Sequence, residues 1–253
     1  MPSKREPVTK AAILCGGEGK RLRPLTQYFQ KTMIPVGPNM RPLLEFVVKL
    51  MVYHGVPDLI MLTGYQAEKI EDYFRDGAKF NARISYSRDP EKVRGSAQAL
   101  VHAIDDGRVG KFDDLIVYYG DVLSALNVGA VLRKHRTSHS DLTLVLSKRY
   151  AVPVGVAEVR GDRIVGFREK PNLGLDVTMG CLVVSKSCLP VLEEVTAESR
   201  SRDIMSHFVP KVIQRRMEVM PFFMDGFWHD LGSQEAYDRL DPREVEKNLG
   251  FLD

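Results

Sequence analysis

The sequence predicts an α/β fold on a mixed, mostly parallel central sheet with helices on both faces. Short apolar runs ending at or near a glycine recur along the first half. Stretches with apolar residues at helical spacing separate them, and glycine or proline marks the junctions. Strands alternating with helices imply crossover connections, and crossovers generate parallel sheets.

Residues 11–14 read as a buried strand that runs into Gly16-Gly17. Residues 43–53 carry a helical pattern that Gly55 stops, and 59–62 form a second buried strand. An amphipathic helix over 67–74 stops at Gly77, and 83–87 is a third strand. Residues 95–104 are helical, and the strand 115–119 ends in Gly120-Asp121. A helix over 128–135 precedes a strand over 142–146. Strands at 154–159 and 163–167 flank Gly161-Asp162, a hairpin signal. Further strands are expected at 181–184 and 217–223, with a helix over 203–214 despite Pro210. A last helix begins at 236–240 and is interrupted or restarted by Pro242. No repeat or low-complexity tract divides the chain, so residues 1–253 read as one unit.

Composition removes several function classes. Hydrophobic residues are 44% and charged residues 27% of the 253, an ordinary balance for a soluble protein. The net charge of +3 comes with no basic stripe interleaved with aromatics, so no nucleic-acid partner is expected. No apolar run reaches the roughly 18 residues of a membrane span, and no membrane partner is expected. Residues 1–10 are polar and charged, unlike a signal peptide. Cys15, Cys181 and Cys188 make no CxxC pair, and a reducing, cytoplasmic compartment follows. The six histidines are scattered. No zinc set and no G-x-S-x-G hydrolase elbow is present.

Four segments carry chemistry. Gly16-Gly17-Glu18-Gly19-Lys20-Arg21 follows the first strand directly. Glycines let the backbone approach phosphates and point N–H groups at them, while Arg21, Arg23 and Lys31 supply charge. A plain strand-to-helix turn is the bland alternative. The dinucleotide fingerprint is excluded because Leu22 stands where its third glycine belongs. A P-loop is excluded because Arg21 follows Lys20 where Ser or Thr is required. Gly120-Asp121 ends a strand, where ligands of parallel sheets gather. An Asp there suits Mg²⁺, which uses one or two carboxylates with phosphate oxygens and waters, or it caps a helix. Asp230, in Trp228-His229-Asp230-Leu231-Gly232-Ser233, is a candidate second metal carboxylate, and Ser233 is a candidate simple helix cap. In Phe167-Arg168-Glu169-Lys170-Pro171, Glu169 suits a sugar hydroxyl and Lys170 a phosphate, or the two form a surface ion pair.

Taken in order, these motifs resemble the sugar-1-phosphate nucleotidylyltransferases, or nucleotide-sugar pyrophosphorylases. Members include glucose-1-phosphate thymidylyltransferase and mannose-1-phosphate guanylyltransferase. The resemblance runs from about residue 10 to residue 240. It implies a Rossmann-like nucleotide-diphospho-sugar transferase fold. It implies that an NTP and a hexose 1-phosphate react, with Mg²⁺, to an NDP-hexose and pyrophosphate. It divides the chain into a nucleotide-binding half (10–125), a sugar-phosphate half (126–240) and a tail (241–253). The tail is too short for the C-terminal left-handed β-helix of many relatives. It assigns Gly16, Gly17, Gly19, Lys20, Arg21, Gln98 and Gly120 to the nucleotide, and Gly155, Glu169, Lys170 and Thr178 to the sugar phosphate. Arg21, Lys31, Asp121 and Asp230 are the implied catalytic set, with Asp121 and Asp230 on the metal.

Three positions depart from that pattern. Lys20 replaces a small hydroxyl residue, Thr32 replaces the proline after the lysine, and Thr178-Met179-Gly180 replaces Asn-x-Gly. Residues 95–99 mix thymidylyl- and guanylyl-type features, and Gln98 tilts the expectation to a pyrimidine. The expectation is therefore glucose 1-phosphate with dTTP or UTP. Mannose-1-phosphate guanylyltransferase and a non-catalytic sugar-nucleotide-binding regulatory subunit are the alternatives, and a homo-oligomer stays open. A metal-dependent glycosyltransferase would carry Asp-x-Asp, which Asp121-Val122-Leu123 lacks.

Overall fold

The computed structural model describes residues 7–90, 95–152, 154–198 and 202–252. Part of the polar N-terminal stretch, residues 1–6, lies outside them.

Strand β1 (Thr9–Leu14) leads through the glycine loop to a short helix α1 (Leu25–Tyr28) and the paired two-residue strands β2 (Pro35–Val36) and β3 (Arg41–Pro42). Then come α2 (Leu43–Tyr53), β4 (Asp58–Thr63), α3 (Ala67–Phe74), β5 (Arg83–Arg88), α4 (Ser96–Asp105), β6 (Asp114–Tyr119) and β7 (Val122–Ser124). The chain continues through α5 (Val128–Thr137), β8 (Leu142–Ser147), β9 (Val156–Arg160), β10 (Arg163–Arg168), β11 (Val177–Ser185) and α6 (Leu189–Glu198). It closes with α7 (Val209–Gln214), β12 (Val219–Phe223), β13 (Trp228–Asp230), α8 (Gln234–Asp238) and α9 (Pro242–Leu249).

Seven strands form the main sheet in the order β12-β8-β11-β6-β1-β4-β5. Only β11 runs antiparallel to its neighbours, β6 and β8. The sheet is therefore mixed and mostly parallel, as the sequence predicts. Side chains along each strand alternate between two cores. Ala11, Ile13, Leu59, Met61, Ile116 and Tyr118 face the core shared with α2, α3, α5 and α9. Ala12, Ile60, Leu62, Leu115 and Val117 face the core shared with α4, α6 and α7. Burial on both faces explains why these strands read as continuous apolar runs.

The strand order places the site. From β1 the chain moves outward to β4 and β5, then returns to add β6 on the other side of β1. The switch point thus lies between β1 and β6, beyond whose carboxyl ends open α/β sheets bind ligands.

Several predicted elements shift. The helix read over 203–214 is a π-helical turn, Ile204–Phe208, followed by α7, with Pro210 in the first turn of α7 where its missing N–H costs nothing. The hairpin forms as β9–β10 with a register shift between Ile164 and Gly166. Strand β11 extends five residues beyond its predicted ends, in a stretch that includes a break in its pairing with β8 between Thr178 and Leu182.

Candidate functional site

The loop after β1 is held from two sides. Gly19 adopts φ +63°, and a side chain there would meet Thr26 Cγ2 at 2.8 Å. Thr26 donates its hydroxyl to the Gly19 carbonyl at 2.9 Å, fixing the bend before Lys20. A Cβ at Gly16 would meet Asp89 Oδ2 at 2.8 Å, whereas Gly17 faces open space. Gly16 is thus required for close packing, and Gly17 leaves room in the cleft.

Gln30, fully buried, fastens this loop to the turn that carries Lys31. Its Nε2 donates to the Cys15 carbonyl at 2.5 Å, and its Oε1 accepts from Thr32 N at 2.6 Å and the Thr32 hydroxyl at 2.7 Å. The same threonine packs against Gly120, where a Cβ would meet Thr32 Cγ2 at 3.2 Å and Leu14 O at 2.9 Å. Lys31 then reaches Asp121 in a close ion pair from which solvent is mostly excluded.

Asp121 leads into β7 rather than capping a helix, and β7 pairs antiparallel with β13, setting Asp230 opposite Val122. Leu231 N donates to the Asp121 carbonyl at 3.0 Å. Ser233 caps α8, accepting from Ala236 N at 3.2 Å, so Asp230 is not a cap either. Burial among protein atoms and the negative charge of Asp121 raise the Asp230 carboxyl above its ordinary value, opposed by Lys31 and Arg21. A side chain at Gly232 would meet Asp230 Oδ1 at 2.9 Å and an Arg21 guanidinium nitrogen at 3.1 Å. Arg21 therefore lies against the Asp230 segment. Lys20 turns away and pairs with Glu18 at 3.0 Å on the surface.

A cleft of about 340 Å³ opens beside this group, lined by Leu14, Gly16, Gly17, Lys31, Asp89, Ser96, Tyr119 and Asp121 among others. Asp89, Ser96 and Tyr119 were not found from sequence. Ser96 is anchored by Asp203, to which it donates at 2.8 Å. Gln98 does not line this cleft. It lies with Pro90, Val101 and His102 along another groove, because one helical residue turns the side chain about 100° from Ala99, which does line the cleft. The pyrimidine tilt loses its footing with it.

The second group of expected residues lies on the β9–β10 arm and its neighbours. Gly155 and Glu169 meet, since a Cβ at Gly155 would contact Glu169 Oε2 at 3.0 Å and Phe167 Cζ at 2.3 Å. Lys170 reaches Glu235 at 3.4 Å, linking the arm to α8 just past Asp230. Thr178 sits exposed at the break in β11, where Gly180 N donates to its hydroxyl at 3.4 Å.

Among the described residues no group of three or more His, Cys, Asp or Glu forms a metal site. The pair Asp121 and Asp230 still fits Mg²⁺. Asp230, raised first by burial and then by the charge of Asp121, is a carboxylate that a divalent cation would relieve, and Mg²⁺ fills its remaining positions with water and phosphate oxygens. Cys15, Cys181 and Cys188 are buried and free, and no described helix is long and apolar enough to cross a membrane.

The nucleotidyl transferase family profile matches residues 10–245. The chain is 28% identical to the UTP–glucose-1-phosphate uridylyltransferase of Synechocystis sp., over 90% of this chain and 61% of the relative. It is 29% identical to mannose-1-phosphate guanylyltransferase 1 of Arabidopsis thaliana, over 90% and 62%. The chain thus spans about three fifths of the length of these curated relatives. A Bacillus anthracis protein assigned as a glucose-1-phosphate thymidylyltransferase, crystallised with sucrose, shares the fold with a TM-score of 0.72 at 22% identity, covering 91% of this chain and 93% of that one.

Proposed function

The chain belongs to the nucleotidyl transferase family, and on that premise we propose that it joins an NTP and a hexose 1-phosphate into an NDP-hexose and pyrophosphate. One observation carries the reading. The glycine loop, Arg21, the Lys31–Asp121 pair and Asp230 converge at the switch point of the sheet, beside a cleft of nucleotide-accepting size. Residues 10–125 build the nucleotide side. Residues 126–240 supply the sugar-phosphate side and return Asp230 to the centre.

The chemistry needs no general base. The attacking group, a phosphate oxygen of the sugar 1-phosphate, is already an anion at neutral pH. It attacks the α-phosphorus as the bond to pyrophosphate breaks. The barrier is repulsion between two polyanions, so catalysis consists of in-line positioning and charge neutralisation. Arg21 bridges two phosphate oxygens with its fork, which a point charge cannot do. Lys31, held by Asp121, is aimed at the phosphates nearest the reaction. Lys170 takes the phosphate of the sugar, and Glu169, beside Gly155, takes sugar hydroxyls. Asp121 and Asp230 would hold Mg²⁺, which would supply further positive charge to the phosphate oxygens. Glucose 1-phosphate is the favoured sugar substrate, with mannose 1-phosphate the alternative.

A matrix of NTPs against sugar 1-phosphates, with Mg²⁺ or with EDTA and read by pyrophosphate release, tests this reading. Release that depends on both substrates and on Mg²⁺ is expected. Nucleotide binding without any release in the matrix would reduce the protein to a sugar-nucleotide-binding subunit.

A further inference from the structure

We infer that Thr32 is a positioning residue for the transfer, one that sets Lys31 and Asp121 against each other from beneath the cleft, an inference that rests on the function proposed above. Lys31 and Thr32 are consecutive in the single 3₁₀ turn Lys31–Met33. Such a turn has three residues, so neighbouring side chains point about 120° apart. Lys31 takes the direction of the cleft. Its stem lies along Gly19, where a Cβ would meet Lys31 Cβ and Cγ at 3.1 Å, and its ammonium pairs with Asp121. Thr32 takes the direction of the core and is 2% exposed.

Both branches of Thr32 are engaged there. Its backbone N–H and its hydroxyl donate to the same Gln30 Oε1, at 2.6 and 2.7 Å, and Gln30 Nε2 donates onward to the Cys15 carbonyl at 2.5 Å. Its methyl lies under Gly120, where a Cβ would meet Thr32 Cγ2 at 3.2 Å. One small side chain thus touches the residue that ties the Lys31 turn to β1 and the residue that precedes Asp121. Lys31 and Asp121 are 90 residues apart in the chain, and Thr32 is where their supports meet. The hydroxyl fixes direction as well as distance, because a hydrogen bond weakens steeply when it is bent, whereas a methyl contact sets distance alone. Its proton is committed to Gln30, so its effect on the reaction passes through Lys31 and Asp121. A displacement of about 1 Å in a charge facing the reacting atoms can cost on the order of a hundredfold in rate. If Thr32 only filled the core, its loss would lower stability and leave the turnover of the folded enzyme normal.

Steady-state kinetics of pyrophosphate release, at saturating Mg²⁺ and well below the melting transition of every variant, decide the matter. Thr32→Val keeps the branched shape but sets a methyl against Gln30 Oε1. It is expected to lower kcat about tenfold, with the KM for either substrate within about twofold of wild type. Thr32→Ser keeps the hydroxyl and leaves only a methyl-sized gap, so its kcat should stay within about threefold of wild type even where its melting temperature falls as far. Single-turnover rates with enzyme in excess then test the route. In a Lys31→Ala background, Thr32→Val should cost nothing further, because the group it aims is gone. Normal turnover in Thr32→Val would overturn the inference and leave the transferase reading standing. So would a loss that persists without the Lys31 ammonium, or equal losses in Thr32→Val and Thr32→Ser. Should Thr32→Val not fold, Thr32→Ala against Thr32→Ser makes the same comparison, since only the second keeps the hydroxyl. No pyrophosphate release by the wild type from any NTP and sugar 1-phosphate overturns the reading and the inference together.

Discussion

The glycine loop and the β9–β10 arm, which the proposed function assigns to the two substrates, are built in opposite ways. Around the loop, Gln30 makes three buried hydrogen bonds, Gly16 and Gly120 permit backbone contact, and the Lys31–Asp121 pair is mostly shielded from water. On the arm, Val159, Ile164 and Phe167 are 61%, 70% and 65% exposed, and the Lys170–Glu235 pair lies at the surface. The loop is preorganised by the core. The arm is held mainly by its own hairpin ladder and an ion pair that water screens. The difference teaches that this fold concentrates fixed charge at its core and leaves the arm as a more open surface; under the proposed function, the fixed charge falls where bonds change.

The largest test of this contrast is at the carboxylates. Asp121→Asn and Asp230→Asn should each lower turnover by about 10²–10³-fold, the scale of a lost electrostatic contact to reacting atoms. The fold should survive, as read by circular dichroism. Near-normal turnover at low Mg²⁺ in either variant would remove it from the site.

Stability should divide the two regions next. Gln30→Ala leaves the Cys15 carbonyl and the Thr32 groups unpaired in the core, a cost of about 3 kcal/mol and a melting temperature lower by roughly 5–10 °C. Ile164→Ser, on the arm, should stay within about 0.5 kcal/mol of wild type. Equal losses on thermal denaturation would erase the contrast.

Within the loop, charge geometry should matter more than charge count. Arg21→Lys should lose well over tenfold in kcat/KM for NTP, because the fork is gone. Lys20→Thr should cost tenfold or less, about 1.4 kcal/mol, since Lys20 pairs with Glu18 at the surface. The reverse ranking would show that the loop's charges are assigned to the wrong residue.

On the arm, Lys170→Ala should raise the KM for sugar 1-phosphate about tenfold, about 1.4 kcal/mol, with a smaller effect on NTP. Equal damage to both would contradict the division of labour.

The smallest expected effect is on the stability of the ligand-free protein. Burial raises the Asp89 carboxyl to about 6, so the native state holds its proton more tightly than the unfolded chain. Stability is therefore lost as pH rises from about 4 through about 6. Asp89→Asn removes that loss. It should melt a few degrees above wild type at pH 8, with the difference vanishing near pH 4.

What was legible in the sequence follows the same divide. Helices α2 and α3 fall at the residues their spacing predicts, because α2 is apolar and buried over most of its surface and α3 keeps one apolar face, Ala67, Ile70 and Phe74, along its length. The glycine loop was legible because Gly19 must take a positive φ and Gly16 a close contact. Helix α6 escaped because Pro190 stands at its start, where proline reads as a break but is tolerated. Strands β7 and β13 are three residues each, too short to show a period. Gln30, Asp89 and Tyr119 were invisible for another reason. Gln30 ties the loop after β1 to the turn that carries Lys31, Asp89 and Tyr119 meet the glycine loop only in the folded cleft, and a lone polar residue carries no spacing to read. Gln98 lines another groove because a motif gives a residue's place on a helix without the direction it faces.

The β7–β13 ribbon has a consequence for biosynthesis. Strand β13 is the last strand among the described residues, and it alone delivers Asp230 to Asp121. Ribosomes add about 5–20 residues per second, and N-terminal units fold first. The glycine loop, Lys31 and Asp121 can therefore stand assembled on the nascent chain for several seconds before the second carboxylate arrives. A chain halted anywhere before residue 230 would present a shaped pocket but half of its acidic pair, so the meeting of the two carboxylates waits on the emergence of β13.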